Sequence, residues 1–243
     1  MRFIIMHRTN AHWESGAAPS RELIARLGAL LGKIAKAGAL ESGEGLRASA
    51  EGVRVQLAGG KRTVTKGPYG PSGAELPAGF TILRARSIDE AMDWASRQAD
   101  ALGDGEVDIR PVAEPWDIGM RPKPADVHTR RYMVLRKATA ATEAAASPSD
   151  RQRAALKQLV DDTTQAGTHL ATESMRPSAR GRRYKNSSQG ISVVDGPFTE
   201  SKELIGGYVI VRGDSLDDVD EWARIYASIV GTEEVDVREL DSA

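Results

Sequence analysis

The chain repeats itself, and that repetition limits its possible folds more than any other feature. Laid on the first half, the second keeps a displacement of 129 positions (Gly38 to Gly167) over a long stretch. It matches Phe3 with Tyr132, Pro19-Ser20 with Pro148-Ser149, Glu44 with Glu173, Arg47 with Arg176 and Gly67-Pro68-Tyr69 with Gly196-Pro197-Phe198. After a single-residue gap the displacement is 128 (Val107 to Val235), and Glu75-Leu76, Gly79-Phe80, Ser87, Trp94-Ala95 and Val107-Asp108 find counterparts in Glu203-Leu204, Gly207-Tyr208, Ser215, Trp222-Ala223 and Val235-Asp236. A register that keeps glycines, a Gly-Pro turn and a tryptophan in step marks two diverged copies of one module. The copies span 1–113 and 130–243; residues 114–129, with Pro115, Pro122, Pro124 and no periodicity, read as a linker.

Each copy repeats the same local signals. Ile4 to Met6 and Met133 to Leu135 lie in continuous apolar runs, the pattern of a strand covered on both faces. A helix follows, capped by Ser20 or Ser149, with Leu23, Leu27, Leu30, Leu31 and Ile34 at helical spacing in the first copy, stopping at Gly38 or Gly167. A hairpin comes next: Val53, Val55 and Leu57 run to Gly59-Gly60 and Val64 returns, and the second copy turns around Ser187 to Gly190. Phe80 to Leu83 and Tyr208 to Val211 read as buried strands, Ser87 and Ser215 cap a second helix with acidic first turns, and a strand alternating Val107, Ile109 with Asp108, Arg110 ends the unit.

This order predicts an α+β fold of two ferredoxin-like modules. Such a module leaves one sheet face bare. With Phe3, Ile5, Phe80 and Ile82 on one face and Ile4, Met6, Thr81 and Leu83 on the other, neither suits water. The matching face of the other copy is the nearest cover, giving a pseudo-dimer of the dimeric α+β barrel type within one chain. Further homodimerisation is compatible with this reading.

The 243 residues contain 33 Lys and Arg against 34 Asp and Glu, so no global positive field draws the chain to nucleic acid or anionic lipid. No stretch approaches the ~20 apolar residues of a membrane span. The absence of cysteine excludes disulfides, thiolate metal sites and cysteine nucleophiles, and with no signal-peptide core it points to a cytoplasmic protein.

The run Asp195-Gly196-Pro197-Phe198-Thr199-Glu200-Ser201-Lys202-Glu203, followed by Gly206-Gly207-Tyr208, resembles the DGPF signature of the YCII-related proteins, and Glu221-Trp222-Ala223 and Val235 to Arg238 fit the same pattern. The resemblance covers both copies. It implies a dimeric α+β barrel, a role as an enzyme built on polar residues in a cleft, and, for some relatives, a link to extracytoplasmic-function sigma factors. The first copy departs from the signature: Lys66 stands where Asp195 does, and Glu200 and Lys202 have no counterparts.

Several residues are candidates for a site, each with a structural alternative. Asp195 either fixes the Gly-Pro turn through backbone amides or, desolvated, acts as a general acid or base. Glu44 and Glu173 each precede an arginine by three residues, Arg47 and Arg176; these are exposed ion pairs or a grip on a polar ligand. His7 is in phase with Phe3 and Ile5, with Arg136 as its counterpart, and is either a hydrogen-bonded structural residue or a proton shuttle in the cleft. The expected catalytic set is therefore Asp195, Glu173 and His7, with Glu44, Arg47, Arg176, Arg136, Lys66 and Lys202 as ligand-binding residues. His12, His128 and His169 lack metal-site spacing, and no phosphate loop, nucleophile elbow or dinucleotide fingerprint occurs, so neither metal nor organic cofactor is expected. Two functions fit: a small-molecule enzyme of acid/base type, or a non-catalytic ligand-binding or regulatory module in a sigma-factor system.

Overall fold

The computed structural model describes residues 1–73, 75–103 and 105–241. The first repeat forms β1 (Arg2–Arg8), α1 (Ala11–Glu14), α2 (Arg21–Lys36), β2 (Leu40–Gly45), β3 (Val53–Ala58), β4 (Lys61–Lys66), β5 (Pro77–Ala85), α3 (Ile88–Leu102) and β6 (Gly105–Pro111). The second forms β7 (Arg130–Lys137), α4 (Ala140–Glu143), α5 (Asp150–Gln165), β8 (His169–Ser174), β9 (Gly181–Ser187), β10 (Gly190–Asp195), β11 (Ile205–Arg212), α6 (Leu216–Val230) and β12 (Glu234–Glu239). The same elements occur in the same order, as the repeat requires. The four long helices begin at the expected serines: Ser20, Ser87, Ser149 and Ser215 each accept a backbone N–H three residues on.

The strands pair into two six-stranded antiparallel sheets, ordered β10-β9-β12-β1-β11-β2 and β4-β3-β6-β7-β5-β8. Neither sheet belongs to one repeat. β1 and β2 of the first repeat join the last four strands of the second, and β7 and β8 of the second join the last four of the first. The expected picture of one sheet per copy is corrected by this reciprocal exchange, in which β1 lies between β11 and β12, with Ile5 opposite Val209 on one side and Val237 on the other.

The exchange also reassigns the faces. Ile4 and Met6 lie between the sheets with Phe80, Ile82, Met133, Leu135, Tyr208 and Ile210, and the Phe80 and Tyr208 rings meet at 4.8 Å between centroids. Phe3 and Ile5 face the helices, packing on Leu30 and Ile34 of α2 and on Ala223 and Tyr226 of α6. Phe3 was expected to share a face with Phe80. It does not, because β1 and β5 belong to different sheets. Burying each of these side chains contributes about 1.5–3 kcal/mol relative to exposure, so the shielded faces are what hold the two sheets together.

Charge is buried alongside. In the alternating strands β6 and β12, Val107, Ile109, Val235 and Val237 pack towards the helices, while Asp108, Arg110, Asp236 and Arg238 are buried on the opposite face. Asp236 accepts from Arg8 and Arg183, and Asp108 from Arg54, with Lys137 2.9 Å away. Arg8 and Lys137 come from the exchanged strands β1 and β7, so each buried carboxylate fastens one repeat to the other.

The stretch 114–129 contains no helix or strand, yet its start is anchored. Glu114 is buried and accepts two hydrogen bonds from Arg131, and Asp117 pairs with Arg130. No helix among the described residues is long and apolar enough to cross a membrane.

Candidate functional site

Strand periodicity puts His7 on the helix side of its sheet, after Phe3 and Ile5. Its cross-strand partner is Gly207, where an added Cβ would come within 2.7 Å of His7 Cε1; one at Gly206 would come within 2.9 Å of Nε2. The Gly206-Gly207 pair therefore leaves room for the ring. Nδ1 of His7 lies 2.7 Å from the Tyr226 hydroxyl on α6, and Trp13 of α1 stands edge-on to the imidazole at 5.3 Å. Trp13 is placed by the cap of its own short helix, its backbone N–H donating to Asn10 Oδ1.

Above this group is a cavity of about 440 Å³, whose far wall is the apolar stripe of α2: Leu23, Leu27 and Leu31. That volume lies within the range of small-molecule sites. Burial, reinforced by the charges of Arg110 and Arg8, lowers His7 to about 3, so the imidazole is neutral at physiological pH. Burial likewise raises the Tyr226 phenol above its ordinary value. Among the described residues the contact to Tyr226 is the one hydrogen bond found for the His7 side chain.

Arg110 also lines the cavity, but its donors are committed: to the Arg47 carbonyl at 2.8 Å, the Ile205 carbonyl at 2.6 Å and Glu14 at 2.9 Å. The other oxygen of Glu14 accepts the Ser49 N–H at 2.8 Å. Arg238, Glu143, the Arg176 carbonyl and Ser178 N–H repeat the arrangement in the second copy. Sequence reasoning did not single out Glu14, Arg110 or Tyr226. The repeat register held the signal for the first two, since Glu14 falls on Glu143 and Arg110 on Arg238.

The expected convergence of Asp195, Glu173 and His7 is not what the structure has. Asp195 ends β10 with its side chain 74 % exposed and pairs with Arg182 at 2.9 Å. Glu173 points between the sheets and holds Arg2 through both oxygens, at 2.6 and 2.8 Å. Glu44 faces the same interior and pairs with Arg131; burial raises its carboxyl, and Arg131 offsets part of that. Neither expected Glu-Arg couple forms, because Arg131 holds Glu44 and Arg2 holds Glu173 between the sheets, while Arg47 and Arg176 lie beyond the ends of those strands. Arg47 pairs instead with Glu51, and Arg176 with Asp241. Glu44 and Arg47 both line the His7 cavity. Lys66 and Lys202 are exposed and line neither that cavity nor its counterpart against the other sheet, whereas Arg136 lines the counterpart. Among the described residues no group of three or more His, Asp or Glu is placed to hold a metal ion.

Compared with known protein families, the chain matches the YCII-related domain twice, over residues 1–116 and 130–241. It belongs to the YCII-related family. No curated protein and no solved structure gives a significant match. Within these two YCII-related domains the Gly-Pro-aromatic turn has a structural task. A Cβ at Gly196 would overlap the Ser178 carbonyl oxygen, and one at Gly67 the Ser49 carbonyl oxygen. The Phe198 N–H donates to Ser178 Oγ at 3.1 Å, and the Phe198 ring lies under the Arg183 guanidinium at 4.5 Å, as Tyr69 lies under Arg54 at 4.6 Å. The signature of the YCII-related domain thus covers the arginine that holds the buried aspartate, in both copies.

Proposed function

We propose that the protein binds a small, largely apolar, uncharged molecule in the cavity over His7, with Nε2 of that histidine as the polar anchor. The observation that carries this reading is a neutral imidazole, fixed by Tyr226, at the floor of a 440 Å³ cavity with an apolar far wall. A general base works best with a pKa near the operating pH, and His7 is held far below it. Arg110, Arg47 and Glu44 bring charge to the wall, but Glu14 and two carbonyls engage Arg110, Glu51 engages Arg47 and Arg131 engages Glu44, so an uncharged ligand suits the site better than an ionic one. Binding without turnover is therefore better supported than acid/base catalysis, and it is the form of the site that a regulatory module would use. The finer fold class belongs to the same reading: the exchanged sheets are what two intertwined ferredoxin-like modules would produce.

A metabolite library screened by thermal shift tests it, with hits re-measured by calorimetric titration. Neutral apolar hits should raise the melting temperature of the wild type and fail to do so in Leu27→Trp, which fills the cavity, or in His7→Phe. Hits insensitive to both variants would refute the site. A hit that the wild type consumes and His7→Phe does not would replace binding with catalysis as the function.

A further inference from the structure

A second cavity occupies the corresponding place against the other sheet, between helices α3 of the first repeat and α5 of the second, with different chemistry. The position of His7 is taken by Arg136, and that of Tyr226 by Gln98. Gly79 lies against the arginine as Gly207 lies against His7: its φ is +153°, and a Cβ there would overlap the Arg136 guanidinium. Nη2 of Arg136 reaches Ser174 Oγ at 3.2 Å, while its buried Nε has no hydrogen-bond partner. Among the described residues Arg136 has no carboxylate within ion-pair distance. Glu173, its neighbour across the sheet, is spent on Arg2, and Asp241, whose charge acts on Arg136 from further off, faces Arg176. Burial lowers the guanidinium below its ordinary value.

Arg136 is only half-buried as a residue, but its Nε is shut off from solvent, and a cation so placed without a partner is unfavourable unless something compensates it. The remaining walls indicate what does. Near the arginine, Gln98 donates to Thr81, which meets Thr172 at 3.2 Å. His169 and Thr163, 3.4 Å apart, add a second polar edge, and Leu83, Trp94, Leu156 and Leu159 make the rest predominantly apolar. The volume, about 140 Å³, is close to that of an apolar cavity of about 150 Å³ known to accept benzene.

We propose that this second cavity binds a small monocarboxylate with a ring-sized apolar tail, Arg136 taking the carboxylate. The guanidinium fork matches a carboxylate in two parallel hydrogen bonds, and the apolar walls favour the tail. The site is separate from the His7 cavity, and the inference does not rest on the function proposed for that cavity. The two cavities would then take ligands of opposite character.

Calorimetric titration of the full chain with benzoate, benzyl alcohol and inorganic phosphate tests the proposal. Benzoate should bind the wild type and His7→Phe alike, and bind Arg136→Gln about tenfold or more weakly, with benzyl alcohol weaker by a similar factor. Leu159→Trp, which keeps the arginine and fills the tail space, should also lose benzoate, and it answers the question should Arg136→Gln fail to fold. Benzoate binding that survives either cavity variant, that disappears with His7→Phe, or that is absent where phosphate binds would overturn it.

Discussion

Arg8, near the start of the first repeat, donates to Asp236, near the end of the second, across 2.6 Å, and both side chains are fully buried. Arg183 completes the pair from the other side at 2.6 Å. Burial alone would raise the Asp236 carboxyl; the two arginines outweigh it and hold it below the usual carboxylate range. Asp236→Asn leaves the buried Arg8 without a carboxylate and Arg183 with Glu234 alone, at 3.3 Å, and should destabilise the fold by about 3–5 kcal/mol in denaturant titration. The contribution is present at neutral pH and lost as pH falls below about 4, since a depressed carboxyl stabilises only while ionised. A loss under about 1 kcal/mol would show that the pair is not the clamp described.

The exchanged strands make a second expectation. Residues 121–126 are exposed, so a protease should cut there first. The two fragments should stay together at the size of the intact chain under native conditions and separate only in denaturant, because each sheet needs strands from both. Fragments that part on native size-exclusion chromatography would contradict the sheet assignment.

Much of this architecture was legible in the sequence, and the omissions have definite causes. The repeat register, helix caps, hairpins and long strands all follow from local signals. The edge strands β2 and β8 were not read, because Leu40-Glu41-Ser42-Gly43-Glu44-Gly45 carries almost no apolar alternation and pairs on one side only. Which copy a strand joins was equally hidden: the two copies carry the same pattern, so own and exchanged pairing satisfy it alike. The site was partly visible. His7 was placed by phase alone, but Tyr226 on α6 reads from sequence as one more apolar residue of a core helix.

Titration of His7 supplies a third expectation. A free imidazole ionises at about 6.5, and the folded chain holds His7 to about 3. Between those values the unfolded chain takes up a proton that the folded chain refuses, so stability is full above about pH 6.5 and falls as pH drops through the window. The loss should reach about 3 kcal/mol by about pH 4. Denaturant midpoints should fall across this range in the wild type and much less in His7→Phe. Equal slopes would place the imidazole in contact with solvent.

The signature turn separates structure from chemistry. Gly196→Ala should prevent normal folding, because the new methyl meets the Ser178 carbonyl, a backbone atom with no freedom to withdraw. Asp195→Asn removes only an exposed ion pair and should cost at most about 1 kcal/mol, leaving ligand uptake unchanged. Thermal melts and the binding assays above measure both. Loss of ligand with an intact melt in Asp195→Asn would return that carboxylate to the site.

The His7 cavity takes its imidazole and leucines from the first repeat, and from the second its Tyr226 and the Gly206-Gly207 pair that makes room for the ring. A substitution in either copy therefore reaches a pocket that the other copy helps to build. Neither repeat is free to drift independently, and a graft of one into another scaffold would transplant half of each chamber and the whole of neither.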